Sequence, residues 1–250
     1  MSGASLHGAH ARLDGREVLS NVDLSVLPGE VVALVGPNGA GKTSLIRALA
    51  GALPLTSGEA RLEGRPLTDF SPRERAARLA WLPQDRRIAW NMPAVEVAAL
   101  GAPFLSGSQA RDRALAALME IDAGHLAARG VAEMSGGERA RVLFARFLAT
   151  EAPVLLADEP AAGLDPDAQL LVMDVLRRRA EGGAAVLVSL HDLSLAARHA
   201  DRVVVVDQGR IAADAAPREA LSPEIMRAVF GVASRWLETP QGPVLNAWRV

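Results

Sequence analysis

Residues 36–44 read GPNGAGKTS and fit the pattern G-x-x-x-x-G-K-[ST], with Lys42 as the only lysine among 250 residues. The stretch directly follows the apolar run VVALV (31–35), which has the composition of a strand buried on both faces. It directly precedes TSLIRALAG (43–51), where apolar residues recur at helical spacing and Gly51 is placed to end the helix. Strand, glycine-rich loop and helix in this order predict an α/β fold with a phosphate-binding loop.

The chemistry of this loop follows from its residue types. Glycines let backbone N–H groups surround phosphate oxygens, and the N-terminus of the helix adds a partial positive charge. We expect Lys42 to contact the β- and γ-phosphates and the Thr43 hydroxyl to bind Mg²⁺. The alternative, a glycine-rich turn without a ligand, is disfavoured by the flanking strand and helix. The residues predicted to bind nucleotide here are Gly36, Pro37, Asn38, Gly39, Ala40, Gly41, Lys42, Thr43 and Ser44.

The composition limits the remaining function classes. Half of the residues are hydrophobic, 22% are charged and the formal net charge is −2, which fits neither a disordered chain nor a polycation that binds nucleic acid. The absence of cysteine excludes disulfides and cysteine-based zinc sites. No apolar run has the length of a signal-peptide core or approaches the roughly 18 residues of a membrane-spanning helix. From the chain length of 250 residues we expect a single domain over residues 1–250.

Further strand patterns complete the predicted sheet. PVLLADEP (153–160) and AAVLVSLHD (184–192) read as buried strands, and DRVVVVDQGRIAAD (201–214) reads as a hairpin that turns at Gln208-Gly209. Between Gln84 and about Thr150 the strand signals disappear, and two or three helices are predicted. This segment predicts a helical subdomain at about 87–150.

An arginine run stands out later in the chain. Arg177, Arg178 and Arg179 are consecutive, and we expect this run to lie on the solvated face of a helix. A nucleic-acid role for it is disfavoured by the nearly balanced charge of the whole chain.

Two adjacent carboxylates end the strand pattern at 153–160. Asp158 is placed to hold Mg²⁺ through water, and Glu159 to face an attacking water molecule. An acidic turn after a strand is the alternative reading. A second acid at this position suits hydrolysis of ATP rather than phosphoryl transfer to another substrate.

The segment MSGGE (134–138) opens a helical pattern and supplies a second candidate anion site. Ser135 offers a hydroxyl, and the start of the helix exposes N–H donors. Taken alone, the tripeptide Ser135-Gly136-Gly137 favours an ordinary helix N-cap over a ligand site.

In their order along the chain these motifs resemble those of the ATP-binding-cassette (ABC) ATPases, from about residue 5 to 232. GPNGAGKT resembles the Walker A motif of that family, LPQ with Gln84 the Q-loop, and MSGGE the LSGGQ signature with Met134 and Glu138 as departures. VLLADEP resembles Walker B, AGLD with Asp165 the D-loop, and His191 the switch histidine. The resemblance implies a P-loop NTPase fold with a parallel-sheet core, an N-terminal antiparallel β portion and a helical subdomain.

The resemblance also implies roles for individual residues. It implies a head-to-tail homodimer that closes on two ATP molecules, with Walker A of one subunit facing the signature of the other. Gln84 would sense Mg²⁺ and water, and His191 would contact the γ-phosphate, although His191 taken alone reads as a core or capping histidine. The implied catalytic residues are Glu159, His191, Gln84 and Lys42; the implied metal site contains Thr43, Gln84 and Asp158; further nucleotide contacts are Ser135, Gly136, Gly137, Glu138, Asp165 and Leu13.

The adenine contact departs from the family pattern. The family usually stacks adenine on an aromatic residue, often tyrosine, and this chain has no tyrosine. The matching position is Leu13, which predicts an apolar contact, while stacking by His10 or Arg12 is the alternative.

Two segments resemble importers of iron-siderophore, haem and cobalamin, namely residues 85–101 and residues 191–232. This resemblance implies an ATP-hydrolysing subunit that powers uptake of a metal chelate, bound peripherally to the cytoplasmic face of the bacterial inner membrane. The implied partners are two copies of a multi-helix permease and a periplasmic substrate-binding protein, without nucleic acid. Asp85, Arg86, Arg87 and Trp90 would lie near the groove that receives a permease helix, unless they form an ordinary exposed loop.

Three other functions remain to be weighed against import. One is a soluble ABC ATPase of DNA repair or translation, which would carry long coiled-coil insertions or two cassettes. The others are the ATPase subunit of another ABC transporter class and a non-hydrolysing regulator; Glu159 and His191 disfavour the regulator. Residues 233–250 form a C-terminal extension that matches no motif, and they either cap the core or contribute to a dimer contact.

Overall fold

The computed structural model describes residues 3–85, 88, 91–239 and 243–249, so Arg86, Arg87 and Trp90 lie outside the described residues. The strands are β1 (Ala4–Leu13), β2 (Arg16–Val26), β3 (Val31–Val35), β4 (Ser57–Leu62), β5 (Arg65–Pro66), β6 (Leu79–Leu82), β7 (Val154–Asp158), β8 (Ala185–Ser189), β9 (Arg202–Asp207), β10 (Arg210–Ala215), β11 (Val232–Leu237) and β12 (Val244–Arg249). The helices are α1 (Lys42–Leu49), α2 (Pro72–Arg78), α3 (Ala94–Ala99), α4 (Gly107–Glu120), α5 (Gly136–Leu148), α6 (Pro166–Glu181), α7 (Leu193–His199), α8 (Pro217–Ala220) and α9 (Pro223–Phe230), with short 3-10 turns at Leu67–Asp69, Gly124–Leu126 and Val131–Glu133.

A six-stranded sheet forms the centre of the molecule, in the order β10-β9-β3-β8-β7-β6. Neighbouring strands from β9 to β6 run parallel, and β10 is antiparallel to β9. Every residue of β3, β7 and β8 is buried, because both faces of the sheet are covered. The predicted strands and the hairpin at Gln208-Gly209 are confirmed.

The predicted N-terminal antiparallel portion is also confirmed. It is a four-stranded sheet in the order β2-β1-β4-β5. Its apolar side chains share one core with α1 and with one face of the central sheet, where Leu6, Leu45 and Leu34 are fully buried. The helix that follows the phosphate loop is therefore held between two sheets.

Three helices, α3, α4 and α5, lie within the predicted helical segment. The described residues of that segment contain no strand, only an isolated bridge between Pro93 and Gly130. The apolar side chains of these helices join the core on the other face of the central sheet.

The arginine run was expected on the solvated face of a helix, and it does lie on a helix, with two of its three residues partly buried in ion pairs. Arg177 pairs with Asp201 at 2.9 Å, and Arg179 pairs with Glu120 of α4 at 2.5 Å. Only Arg178 is exposed. The run lies on the last turns of α6, where carboxylates from other elements reach it.

The C-terminal extension forms an antiparallel hairpin of β11 and β12, which packs against α7 and α9. Ser234 and Leu245 of this hairpin are buried, which supports the expectation that the extension caps the core. Within the described part of the chain, no helix combines the length and the apolar character that crossing a membrane requires.

Candidate nucleotide-binding and catalytic site

The loop at 36–41 is anchored by the strands around it. The N–H of Gly209 donates to the Ala40 carbonyl at 2.8 Å, and the N–H of Ser20 donates to the Gly209 carbonyl at 2.9 Å. A Cβ on Gly36 would lie 2.2 Å from the carbonyl oxygen of Val206, and Gly41 precedes α1 with φ at 112°. Side chains larger than hydrogen therefore do not fit at these two positions, and the backbone is free to curve as an anion cradle.

Lys42 starts α1 and points back into this cradle. It is only 7% exposed, and its Nζ donates to the carbonyls of Gly36 at 2.7 Å and Pro37 at 3.1 Å. Burial lowers the pKa of this ammonium, while the charges of Glu159 and Asp158 oppose that shift. The ammonium thus lies inside the loop and faces the acidic residues at the end of β7.

Asp158 has the chemistry of a magnesium ligand. Its side chain is buried, and Oδ1 accepts a hydrogen bond from the Ser189 hydroxyl at 2.6 Å. Oδ2 is buried too and has no hydrogen-bond partner among the described residues. A buried carboxylate oxygen of this kind fits a water molecule of a hydrated cation.

A magnesium ion at Asp158 would need further oxygen ligands, which a bound substrate and water can supply. The described residues contain no cluster of three His, Asp or Glu side chains that could hold a metal alone. Mg²⁺ commonly takes one or two protein oxygens and completes its shell with phosphate oxygens and water. Thr43 at the start of α1 and Asp158 at the end of β7 provide such oxygens, so the residues fit the ion.

The structure brings Gln84, Glu159 and His191 together. Gln84 Nε2 donates to Glu159 Oε2 at 2.9 Å, and His191 Nε2 lies 2.5 Å from Glu159 Oε1. These residues follow β6, β7 and β8, which are adjacent parallel strands, so their carboxyl ends meet at one edge of the sheet. The loop after β3, the next strand in the order, lies at the same edge.

The signature segment forms a helix N-terminus. Ser135 is the N-cap of α5: its Oγ accepts from the Glu138 N–H at 3.2 Å, and Glu138 Oε2 accepts from the Ser135 N–H at 2.7 Å. These hydrogen bonds lower the pKa of Glu138, and Arg129 pairs with its Oε1 at 3.0 Å. A Cβ on Gly136 would meet no atom within 4 Å, which leaves room for a ligand in front of the helix.

None of the hydrogen bonds among the described residues joins this helix start to residues 36–44 of the same chain. Asp165 also acts as an N-cap, for α6, where its Oδ1 accepts from the Ala168 N–H at 2.9 Å. The two segments therefore have local structural roles in one subunit, and their predicted nucleotide contacts remain predictions.

The adenine contact likewise stays a prediction. Leu13 ends β1 and is 40% exposed, so an apolar side chain is available at the predicted position. His10 pairs with Glu17 at 3.2 Å, which engages the ring that was the alternative stacking partner. Arg12 is exposed.

Sequence reasoning missed Ser189, the polar residue that contacts both acidic residues of the site. The available signal was a hydroxyl within AVLVS, a strand buried on both faces, because a buried polar group needs a partner. Its partners could not be read from local spacing, since they lie 31 and 30 residues away along the chain.

Comparisons with known proteins agree with this geometry. Residues 19–162 match the family model described as ABC transporter. The chain is 48% identical over 219 residues to a hemin import ATP-binding protein of Nocardia farcinica, covering 86% of this chain and 76% of the relative. It is 44% identical over 234 residues to a protein of the same name from Pseudomonas putida, covering 91% and 92% of the two chains.

Solved structures show the same fold. The ATP-binding subunit of an ABC transporter matches with a TM-score of 0.79 at 27% identity, over 91% of this chain and 93% of the other. A dimeric bacterial ABC transporter cassette, MJ0796, matches with a TM-score of 0.78 at 26% identity, over 86% and 99%. Together with the family match, these likenesses show that the chain belongs to the ABC transporter family and carries its ATPase domain.

Proposed function

We propose that this chain is the ATP-hydrolysing subunit of an ABC importer that takes up haem through a separate membrane permease. The observation that carries the hydrolytic part is the contact of Glu159 with both Gln84 and His191, beside the buried Lys42. The relatives named for hemin import support the importer class over a DNA-repair or translation ATPase.

In the proposed reaction, ATP binds with its phosphates against the N–H groups of residues 36–44 and the ammonium of Lys42. Thr43, Asp158 and Gln84 would hold Mg²⁺, which would supply positive charge to the phosphate oxygens. Glu159 accepts a proton from water as the water oxygen bonds to the γ-phosphorus. The bond from that phosphorus to the β–γ bridging oxygen breaks, so the products are ADP and inorganic phosphate.

Gln84 and His191 hold Glu159 ready for this step. The two side chains contact different carboxylate oxygens of Glu159, at 2.9 and 2.5 Å, which restricts its rotation. A base held within hydrogen-bond distance of fixed neighbours loses less entropy when the attacking water is positioned. His191 is half exposed, so it can also reach a γ-phosphate.

We propose a head-to-tail homodimer in which Ser135, Gly136, Gly137, Glu138 and Asp165 complete the nucleotide site of the partner subunit. The dimeric cassette among the similar structures supports this assembly. The open space at Gly136 and the cap formed by Ser135 leave N–H groups of α5 facing outward. Arg129 offsets the charge of Glu138, which would otherwise repel a phosphate.

The permease is proposed to dock beside Gln84. A cleft of about 430 Å³ lies there, lined among others by Trp81, Leu82, Asp85, Leu100 and Phe147. Its walls come from β6 and from the helices of the segment at about 87–150, which we propose to be a helical subdomain within a single domain over 1–250. Docking there would place the chain peripherally at the cytoplasmic face of the bacterial inner membrane, with a periplasmic substrate-binding protein acting through the permease.

Haem is the proposed cargo because sequence relatives that are 44–48% identical to this chain are named for hemin import. Ferric siderophore and cobalamin are the competing metal chelates. The cargo would be contacted by the permease and the binding protein, so its identity must be tested with the assembled transporter.

Glu159→Gln tests the hydrolytic mechanism. The variant should bind ATP and dimerise while phosphate release falls by about 10²- to 10⁴-fold, because the amide does not accept the proton. Glu181→Gln, at the exposed end of α6, is the matched control and should hydrolyse ATP like the wild type. Near wild-type turnover in Glu159→Gln would remove Glu159 as the base.

The transport function is tested with the chain, its permease and the binding protein in proteoliposomes. Haem-loaded binding protein should stimulate ATP turnover and haem uptake, and the cobalamin- and siderophore-loaded proteins of other systems should not. Stimulation by another chelate and not by haem would correct the cargo. If the chain does not associate with the permease, the importer proposal is refuted.

A further inference from the structure

A single buried hydroxyl contacts both acidic residues at the end of β7. Ser189 is the last residue of β8, and its side chain is inaccessible to solvent. Its Oγ donates to Asp158 Oδ1 at 2.6 Å and accepts from the Glu159 N–H at 2.8 Å. The same oxygen therefore links the proposed magnesium ligand to the backbone of the proposed base.

The sheet register produces this contact. Asp158 and Ser189 are paired residues at the ends of the parallel strands β7 and β8. Because the site is buried, the hydroxyl has no water to turn toward and is held by these two partners. The bond to Asp158 is to a carboxylate, which makes it the stronger of the two.

The contact decides which oxygen of Asp158 is available. Oδ1 is engaged by Ser189, and the buried Oδ2 has no hydrogen-bond partner among the described residues. With one oxygen fixed, the carboxylate cannot rotate freely, so Oδ2 keeps one direction. That is the oxygen left for the hydrated magnesium ion.

The contact also holds the backbone of Glu159. Glu159 has φ at 51°, in the left-handed region that residues other than glycine rarely adopt. Such a conformation persists when its surroundings hold it, and the N–H of this residue is bound by Ser189. The backbone direction at Glu159 sets where its carboxylate meets Gln84 and His191.

We infer that Ser189 is a positioning residue for ATP hydrolysis, which orients the Asp158 carboxylate toward Mg²⁺ and fixes the Glu159 backbone through one hydroxyl. The inference rests on the proposed roles of Asp158 and Glu159. It does not involve the phosphate loop, because Ser189 makes no hydrogen bond to residues 36–44 among the described residues.

Ser189→Ala tests the inference with two measurements. Phosphate release at saturating ATP and Mg²⁺ should fall by about 10- to 100-fold, the effect of losing a hydrogen bond to a charged group. In equilibrium titrations with a fluorescent ATP analogue, the affinity gained by adding Mn²⁺ should shrink by about tenfold. The affinity in EDTA should stay unchanged, because the loop around Lys42 is intact.

Two further variants separate positioning from packing. Ser189→Thr keeps the hydroxyl and should restore turnover and Mn²⁺ dependence to within about threefold of the wild type. Ser234→Ala removes another buried serine hydroxyl, one without a partner among the described residues, and should change neither measurement. A merely structural role would instead lower the thermal stability of Ser189→Ala and leave its metal dependence unchanged.

Wild-type turnover and metal dependence in Ser189→Ala would overturn the inference. It would also be overturned if Ser189→Thr matched Ser189→Ala in both measurements. If the alanine variant does not fold, Ser189→Cys takes its place: weakened turnover and metal dependence are expected, and wild-type values overturn the inference. An active Glu159→Gln, or a wild type without magnesium-dependent hydrolysis, would refute the proposed function instead.

Discussion

Replacing Lys42 by arginine isolates the shape of the cation from its charge. The Lys42 ammonium lies inside the loop and donates to two carbonyls of that loop, at 2.7 and 3.1 Å. Arginine keeps the positive charge but presents a broad planar group with donors in a fixed fork. On one side the loop cannot yield, because Gly36 packs directly against the carbonyl of Val206. We expect Lys42→Arg to lose most ATP hydrolysis.

The size of the loss follows from two terms. A charge pair at about 4 Å is worth about 4 kcal/mol at an effective dielectric near 20, against about 1 kcal/mol in water. Removing the charge, as in Lys42→Gln, should therefore weaken ATP binding by up to about 10³-fold. Lys42→Arg keeps the charge-pair energy but adds an overpacking cost of about 1–3 kcal/mol, so turnover should fall by about 5- to 150-fold.

The assay combines phosphate release at saturating Mg²⁺–ATP with nucleotide binding and thermal unfolding of both variants. The single lysine allows an independent check on the wild type. An amine-reactive reagent can modify only Lys42 and the N-terminal amine, and peptide mass spectrometry separates the two. Because burial lowers the pKa of Lys42 below the ordinary 10.5, its labelling should reach half its maximum rate below that pH, and ATP should protect it.

A folded Lys42→Arg variant that hydrolyses ATP within about twofold of the wild type would contradict the expected clash of the guanidinium with the loop. Such a result would mean that the loop accepts a guanidinium and that charge alone matters. Equal losses in the arginine and glutamine variants with unchanged ATP affinity in both would also contradict the electrostatic argument.

Two stability predictions follow from charged side chains elsewhere in the chain. Arg202 pairs with Glu30 at 3.0 Å and Asp214 at 2.7 Å in a largely buried position. Arg202→Met should therefore lower the free energy of unfolding by about 2–3 kcal/mol, whereas the exposed control Arg210→Met should not. Equal urea midpoints for the two variants would contradict this prediction. The hydrogen bonds from Ser135 lower the pKa of Glu138 below the ordinary 4.5, so its stabilisation is present above pH 4.5 and disappears as the pH falls through the lowered value. Urea unfolding should therefore show Glu138→Gln less stable than the wild type at neutral pH and equally stable once Glu138 is protonated, and a pH-independent difference would refute the assignment.

Local patterns predicted the elements of the fold well, because they depend on neighbouring residues. VVALV is apolar at every position and forms a strand with both faces buried. At the hairpin turn Gln208-Gly209 both residues have positive φ, which Gly209 adopts without a steric cost. Local patterns did not predict the partial burial of Arg177 and Arg179, because their partners Asp201 and Glu120 come from other elements of the fold.

The phosphate loop was predictable from local sequence, since its glycines, its lysine and the helix that follows are contiguous. Folding alone brings Gln84 to Glu159 across 75 residues of chain, and Ser189 to Asp158 across 31. These contacts depend on the strand order β8-β7-β6 and on the pairing of Asp158 with Ser189. Parallel strands are joined by long crossovers, so the residues that meet at their carboxyl ends carry no fixed spacing in the sequence.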